Sequence, residues 1–355
     1  MKTRNSNLEI LRIISMIMII AHHYAVHGFS SDMLSYGANR YIVDILSLGG
    51  KLGVNIFVLI SGYFMVKSIF TIKKLLIVVG QTYFYALGIL ILFTTILTPV
   101  TAINKVDIKK SIFSLSYGSY WFVTCYVVLM ILSPYINILI DNMSKKMHQR
   151  LIWVLMFVWV IVPSVFMENL WKFNELGWFV ALYIIAAYIR KYIDLTETKY
   201  RKNVILALMS SILLVLSVVI MGYVGQVYSI GEFLSKRRWY SGLNSVLVVV
   251  LSVELLLVFL RMKKREIRII NIIASAMFGV YLIHDNFILR PYIWRYIFKN
   301  QEMYGSQYLI VHAICTISII FVVCTIIDLI RKYTVEKIGI VLYDKYANVI
   351  LKRWI

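Results

Sequence analysis

The feature that most constrains this chain is the recurrence of apolar runs, each about 20 residues long, from Leu8 to near its far end. A run of that length crosses the hydrocarbon core of a bilayer as an α-helix, and a helix satisfies its own backbone polar groups where no water is at hand. The runs fall at 8–27, 42–66, 74–98, 120–140, 151–167, 175–190, 203–224, 241–260, 268–289 and 306–330. They predict an all-α, polytopic membrane helix bundle of about ten spans, with 151–167 and 175–190 the shortest. Composition agrees: with 61% hydrophobic residues and a mean hydropathy of +0.80, 355 residues carry more apolar surface than a soluble domain can cover.

The charges then orient the bundle. A net charge of +20 in a soluble protein would suggest nucleic acid. Between spans, lysine and arginine are orientation signals and headgroup contacts, so membrane lipids are the expected partner and nucleic acid is not. With the N-terminus inside, 24 of the 37 lysines and arginines fall in cytoplasmic segments and 11 in outer ones. Arg12 and Lys51 lie within spans. The bias predicts both termini in the cytoplasm of a multi-pass cell-membrane protein.

Lys2 and Arg4 followed by an apolar stretch resemble a signal peptide, but Glu9, Arg12, His22 and His23 do not fit its core and cleavage site, so the first span is expected to be retained. After the ten-span region (1–330), residues 331–355 repeat Ile338, Val341, Leu342, Tyr346, Val349, Ile350 and Trp354 at helical spacing, with charges between. This reads as an interfacial amphipathic helix on the cytoplasmic leaflet. Cys125, Cys315 and Cys324 sit in apolar runs at spacings that fit no zinc or disulfide pattern, and no metal is expected.

The candidate chemistry lies in ionisable residues within spans, which are costly there and usually face a bundle interior or wet cavity. At 100° per residue, Arg12 and His23 fall within about 20° of one helical face and roughly 16 Å apart along the axis, with His22 about 80° off that line. Lys51 needs a partner or water. Gly62 and Ser61 suit close helix packing, and Asn55 is polar in the same span. Tyr120 and Trp121 fall at an outer interface, where belt anchoring and sugar stacking are both open. The stretch FGVYLIHDN (Phe278–Asn286) brings His284 and Asp285 to the outer end of a span parallel to the first. His148 and His312 are isolated and read as structural. Glu254 has a depth like that of Arg12 and is a possible ion-pair partner for it; Glu9, three residues before Arg12, is the local competitor.

Four stretches, LEILRIISMIMIIAHHYAVH, GVNIFVLISGYF, YWFVTCYVVLMILSP and FGVYLIHDN, in that order, resemble the acyltransferase-3 family of integral-membrane acyltransferases. The resemblance covers essentially the whole chain. It implies about ten spans and O-acylation of a surface polysaccharide with acyl-CoA from the cytoplasm. The family's arginine–ten residues–histidine pattern falls on Arg12 and His23, which implies a donor-side role for Arg12 and a catalytic base at His23, with His22 an extra histidine beside it.

The expected function is therefore transfer of an acyl group, acetyl by expectation, from acetyl-CoA or another acyl-CoA to a hydroxyl of a glycan or lipid-linked saccharide. His23 or His22 would take the hydroxyl proton, since imidazole titrates near neutrality. His284, Asp285 or Trp121 would orient the base or the acceptor, and Lys236–Arg238 would attract an anionic acceptor or lipid headgroups. A transporter or flippase for a polysaccharide precursor is the alternative, because buried Arg, Lys, Glu and His also describe a transport pathway.

Overall fold

The computed structural model describes residues 5–29, 37–97, 103–168, 173–196 and 199–354, with side chains to 346. Lys2, Arg4, Lys172 and the side chains of Val349, Ile350, Lys352, Arg353 and Trp354 lie outside the described set. In chain order the helices are α1 (Ser6–His27), α2 (Ala38–Ser47), α3 (Gly49–Met65), α4 (Ile72–Thr95), α5 (Lys105–Ile112), α6 (Trp121–Asp141), α7 (Lys145–Met156), α8 (Val162–Phe166) and α9 (Glu175–Tyr192). There follow α10 (Tyr200–Val227), α11 (Gly231–Lys236), α12 (Val246–Arg261), α13 (Arg268–Ala274), α14 (Met277–His284), α15 (Leu289–Tyr292), α16 (Asn300–Met303), α17 (Leu309–Arg331) and α18 (Lys337–Trp354). No strand occurs among the described residues.

Among the described residues, eight helical stretches are long and apolar enough to cross a membrane, and a ninth is a broken span, Arg268–His284 with Leu289–Ile297, bent by 85°. The tenth expected segment, α9, is a full helix whose ends carry Glu175, Arg190 and Lys191. It is also among the most buried, with Trp178, Phe179 and Leu182–Tyr183 removed from the surface. The expected bundle is thus observed, with one span broken and one charge-ended and central.

The first span is built into the centre by glycines. A Cβ at Gly53 would stand 2.6 Å from the Ser15 carbonyl, and one at Gly50 would stand 2.2 Å from His22. Only hydrogen at these positions lets α3 lie directly against α1. On the other side of α3, Gly62 faces Ala186 and Tyr183 of α9, as a helix-packing role requires. Asn55 accepts from Trp178 Nε1 (3.0 Å) and donates to the Leu243 carbonyl (2.7 Å), so its polarity is spent in holding α3, α9 and the start of α12 together.

Pro163 and Pro134 lie within helical stretches, and the carbonyls they free are met. Pro163 follows a π-helical stretch, Phe157–Ile161, and the Trp159 carbonyl four residues back accepts from Asn244 Nδ2 at 2.8 Å. Pro134 leaves the Met130 carbonyl, which accepts from Ser133 Oγ at 2.8 Å.

Contacts between connections sort the bundle into two ends. At the Arg12 end, Ser6 N–H donates to the Arg265 carbonyl (2.9 Å), Lys191 pairs with Asp141 (2.7 Å), and Lys73 pairs with Asp344 (2.7 Å). At the His27 end, Asn39 Nδ2 donates to the Tyr304 carbonyl (2.6 Å) and Arg237 pairs with Asp44 (2.8 Å). These groupings match the alternation that the charge asymmetry predicts.

The tail does not begin afresh at residue 331. α17 runs through a π-helical turn, Lys332–Glu336, into α18. Arg331 ties the joint, bonding Asp328 within α17 (2.7 Å) and Glu336 (2.8 Å).

Candidate active site

A cavity of about 350 Å³ runs along α1. Its α1 lining is Arg12, Met16, Ile19, His22 and His23, one face at helical spacing. Arg12 and His23 share that face as the arithmetic predicts. His22 reaches it too, because the cavity takes in a wider arc of α1 than the single line through Arg12. Gly50, Lys51 and Ser61 of α3 line the opposite side, with Trp121 and Tyr126 from α6 and Tyr281 from α14.

The histidines are held by a chain of hydrogen bonds whose direction is fixed at one end. His284 Nδ1 lies 2.5 Å from the Val280 carbonyl, which can only accept, so this nitrogen carries the proton. In the neutral ring, Nε2 of His284 is then an acceptor, and it lies 3.0 Å from His23 Nδ1. His23 therefore donates from Nδ1, and its own Nε2 holds a lone pair. This is the arrangement that sets the tautomer of a general base, with a neutral imidazole in place of the more usual carboxylate. His22 is oriented more simply: its Nδ1 donates to the Ser47 carbonyl at 2.6 Å.

The local fold around His284 explains its position. α14 ends at His284, and Asn286 Oδ1 accepts from the amides of Ile288 and Leu289, which starts the next helical segment after the 85° break. Asn286 Nδ2 donates to Tyr120 Oη at 2.7 Å, and Tyr120 donates in turn to the Leu282 carbonyl at 3.0 Å. Tyr120 is thus fully buried and staples the break, rather than anchoring at a lipid interface. Asp285 is held by Arg290 across the break at 3.0 Å, with His23 Nδ1 3.7 Å and His27 Nε2 4.0 Å away.

Trp121 lies inside the bundle with Lys51 Nζ over its ring at 4.9 Å and Phe179 packed edge-on. A cation already covers one ring face, leaving the cavity as its polar neighbour. Lys51, the lysine within a span that needs a partner or water, is a cavity residue of this site and lies over the Trp121 ring.

Arg12 also lines a second, larger hollow of about 1190 Å³ at its own end of the bundle. Lys67, Arg190, Lys264 and Arg265 line it as well, with Arg190 stacked over Tyr63 at 4.4 Å. Arg12 stands where this basic vestibule meets the histidine cavity.

Two expectations are corrected. Arg12 does not reach Glu254: its Nη1 donates to Glu9 Oε2 at 2.7 Å, one helical turn back on the same face. Glu254 instead accepts from Asn203 Nδ2 at 2.5 Å, because its side of α12 packs on α10. The Lys236–Arg238 run is not a free cationic patch. Arg237 and Arg238 pair with the buried Asp44, which also binds Arg40, and Lys236 pairs with Glu232. His148 Nε2 donates to the Ile184 carbonyl (3.0 Å), and His312 bridges Tyr24 Oη and the Phe298 carbonyl, so both are structural. His27 and Arg290 are site neighbours that the sequence reading did not single out.

The described helices form a membrane bundle in which a histidine-lined cavity and a basic hollow meet at Arg12. The profile of the acyltransferase-domain family matches residues 5–329, and the chain belongs to that family, the acyltransferase-3 family of membrane acyltransferases. No curated protein and no solved structure matches the chain.

Proposed function

We propose that this protein transfers an acyl group, acetyl in the simplest case, from cytoplasmic acyl-CoA to a hydroxyl of a surface glycan or lipid-linked saccharide at the cell membrane. The observation that carries the reading is the Val280–His284–His23 hydrogen-bond chain, which leaves a lone pair on His23 Nε2 in a cavity continuous with Arg12. His23 Nε2 takes the acceptor hydroxyl's proton as the oxygen attacks the thioester carbon. The oxyanion so formed is stabilised by Lys51, a cation lining the same cavity beside Trp121. Collapse of the tetrahedral intermediate breaks the carbon–sulfur bond, and His23 returns its proton to the departing thiolate of CoA.

The basic vestibule suits the phosphates of CoA, with Arg12, Lys67, Arg190, Lys264 and Arg265 converging on one hollow. The rise of a helix places His23 roughly 16 Å from Arg12, a span that an extended pantetheine arm bridges. Donor phosphates at one end and the base toward the other would let the acyl group cross while the rest of CoA stays behind.

The test is purified protein given radiolabelled acetyl-CoA and a glycan acceptor, with His23→Ala and His22→Ala compared. Label on the acceptor that is lost in His23→Ala and retained in His22→Ala is the expected result. Glycan movement across vesicles without labelling would establish the transporter instead, and loss only in His22→Ala would move the base to His22.

A further inference from the structure

We propose that His23, His27 and Asp285 form a binding site for a divalent transition-metal ion, best fitted by Zn²⁺, whose occupancy switches His23 off as a base. His23 and His27 stand at i and i+4 on α1, the spacing that puts two imidazoles on one helical face toward one ion. Their rings lie 5.2 Å apart. Asp285 arrives from the broken span, and the three donor atoms lie within 4.8 Å of one another. No pattern in the linear sequence brings Asp285 to this pair.

The dimensions suit an ion after a small inward movement. Bonds of about 2.0–2.1 Å at tetrahedral angles place donors about 3.3 Å apart. Here His23 Nδ1 to Asp285 Oδ1 is 3.7 Å and His27 Nε2 to Asp285 Oδ1 is 4.0 Å. Two imidazoles and one carboxylate favour zinc, copper or nickel over calcium or magnesium, which require oxygen shells. Arg290 now occupies Asp285 and must yield. Its side chain is 31% exposed, so it has room to swing outward, and the His27 side chain, 30% exposed, gives the ion a way in.

Binding would invert the histidine chemistry. The ion takes the lone pair of His23 Nδ1, so the ring proton resides on Nε2 and the bond to His284 is broken. The proton moves between nitrogens of one ring and none is lost. Nε2 is then a donor and cannot accept from an acceptor hydroxyl. The inhibitory half of the proposal rests on the acyl-transfer reading, whereas binding itself does not.

The experiment is a Co²⁺ titration of the purified full-length protein, read by the visible absorption of low-coordinate Co²⁺, with Zn²⁺ competing. One Co²⁺ per chain, displaced by Zn²⁺, is expected. In His27→Gln the affinity should fall by about 100-fold or more, since even outer-shell changes cost 10–100-fold. The same variant should keep its basal acyl transfer and lose its sensitivity to Zn²⁺. Absence of Co²⁺ binding, or binding unchanged in both His27→Gln and Asp285→Asn, would overturn the site. Binding without inhibition of a working enzyme, or inhibition that persists in His27→Gln, would overturn the switch. The cobalt spectrum reports on the site even if no acyl transfer is found.

Discussion

Gly50 lies directly beneath the His22 imidazole: a Cβ there would stand 2.2 Å from its Cγ. The ring occupies a slot that exists because residue 50 has no side chain, and the Ser47 carbonyl fixes it at 2.6 Å. Gly50→Ala must therefore displace His22 or part α3 from α1. Overpacking of this kind costs about 1–3 kcal/mol, so the protein should still fold. The expected outcome is a modest drop in detergent melting temperature with acyl transfer lowered about tenfold, because the displaced ring crowds His23, 5.6 Å away. A variant that melts lower but turns over normally would show that His22 needs no fixed position.

His284→Phe keeps a ring in place but removes the acceptor for His23 Nδ1–H. The His23 tautomer is then unfixed and its ring free to turn. General bases contribute about 10²–10⁴-fold, and loss of the group that orients one forfeits much of that. kcat should fall about 100-fold while KM for acyl-CoA stays within about twofold. Initial rates at varied acyl-CoA give both numbers, and an unchanged kcat would remove His284 from the mechanism.

The basic vestibule should make donor binding sensitive to salt. Screening shortens from about 30 Å at 0.01 M to about 3 Å at 1 M ionic strength. KM for acyl-CoA is expected to rise with salt, and Arg12→Gln or Arg190→Gln should raise it about tenfold at low salt, the equivalent of about 1.4 kcal/mol. Steady-state kinetics across a salt series checks this. A salt-independent KM would place the CoA phosphates elsewhere.

Asp328 is a fully buried carboxylate of the bundle. It has no exposure, accepts from Gln81 Nε2 (2.9 Å) and Tyr85 Oη (2.8 Å), and pairs with Arg331 (2.7 Å). Removing one partner of a buried ion pair costs about 3–5 kcal/mol. Arg331→Leu should lower the melting temperature far more than Lys73→Leu, whose partner Asp344 is exposed. Gly279→Ala should act like Arg331→Leu, since its Cβ would lie 2.0 Å from the Asp328 carboxylate. Similar melting temperatures for the Arg331 and Lys73 variants would contradict this.

Glu254→Gln should leave expression and turnover within about twofold, because an amide still offers Asn203 an acceptor. Glu9→Gln should cost more, since it leaves Arg12 without its neighbouring carboxylate. Parallel expression and rate measurements on the two variants decide the matter.

The span pattern was readable because bilayer thickness sets helix length whatever the partners of each helix. The shared face of Arg12 and His23 was readable for a similar reason, as it depends only on the turn of one helix. What connects separate helices was not readable. The His284–His23 bond depends on where α14 stops and on the 85° break that follows, which Tyr120 and Asn286 set from different parts of the chain. The choice of Glu9 over Glu254 required knowing which way α12 faces, and equal depth alone does not give that. His27 stood in plain sight four residues after His23, but its meaning depends on Asp285, a residue 258 positions away that only the folded chain brings near.

The broken span has one more consequence. His284 closes its first half and Arg290 belongs to its second half, with Asp285 at the joint. A tilt of the second half would carry Arg290 away from Asp285 while leaving the Val280–His284–His23 chain intact. The alignment of the imidazole and the field around it are therefore set separately, one anchored in the bundle and the other by Arg290, whose side chain is partly exposed.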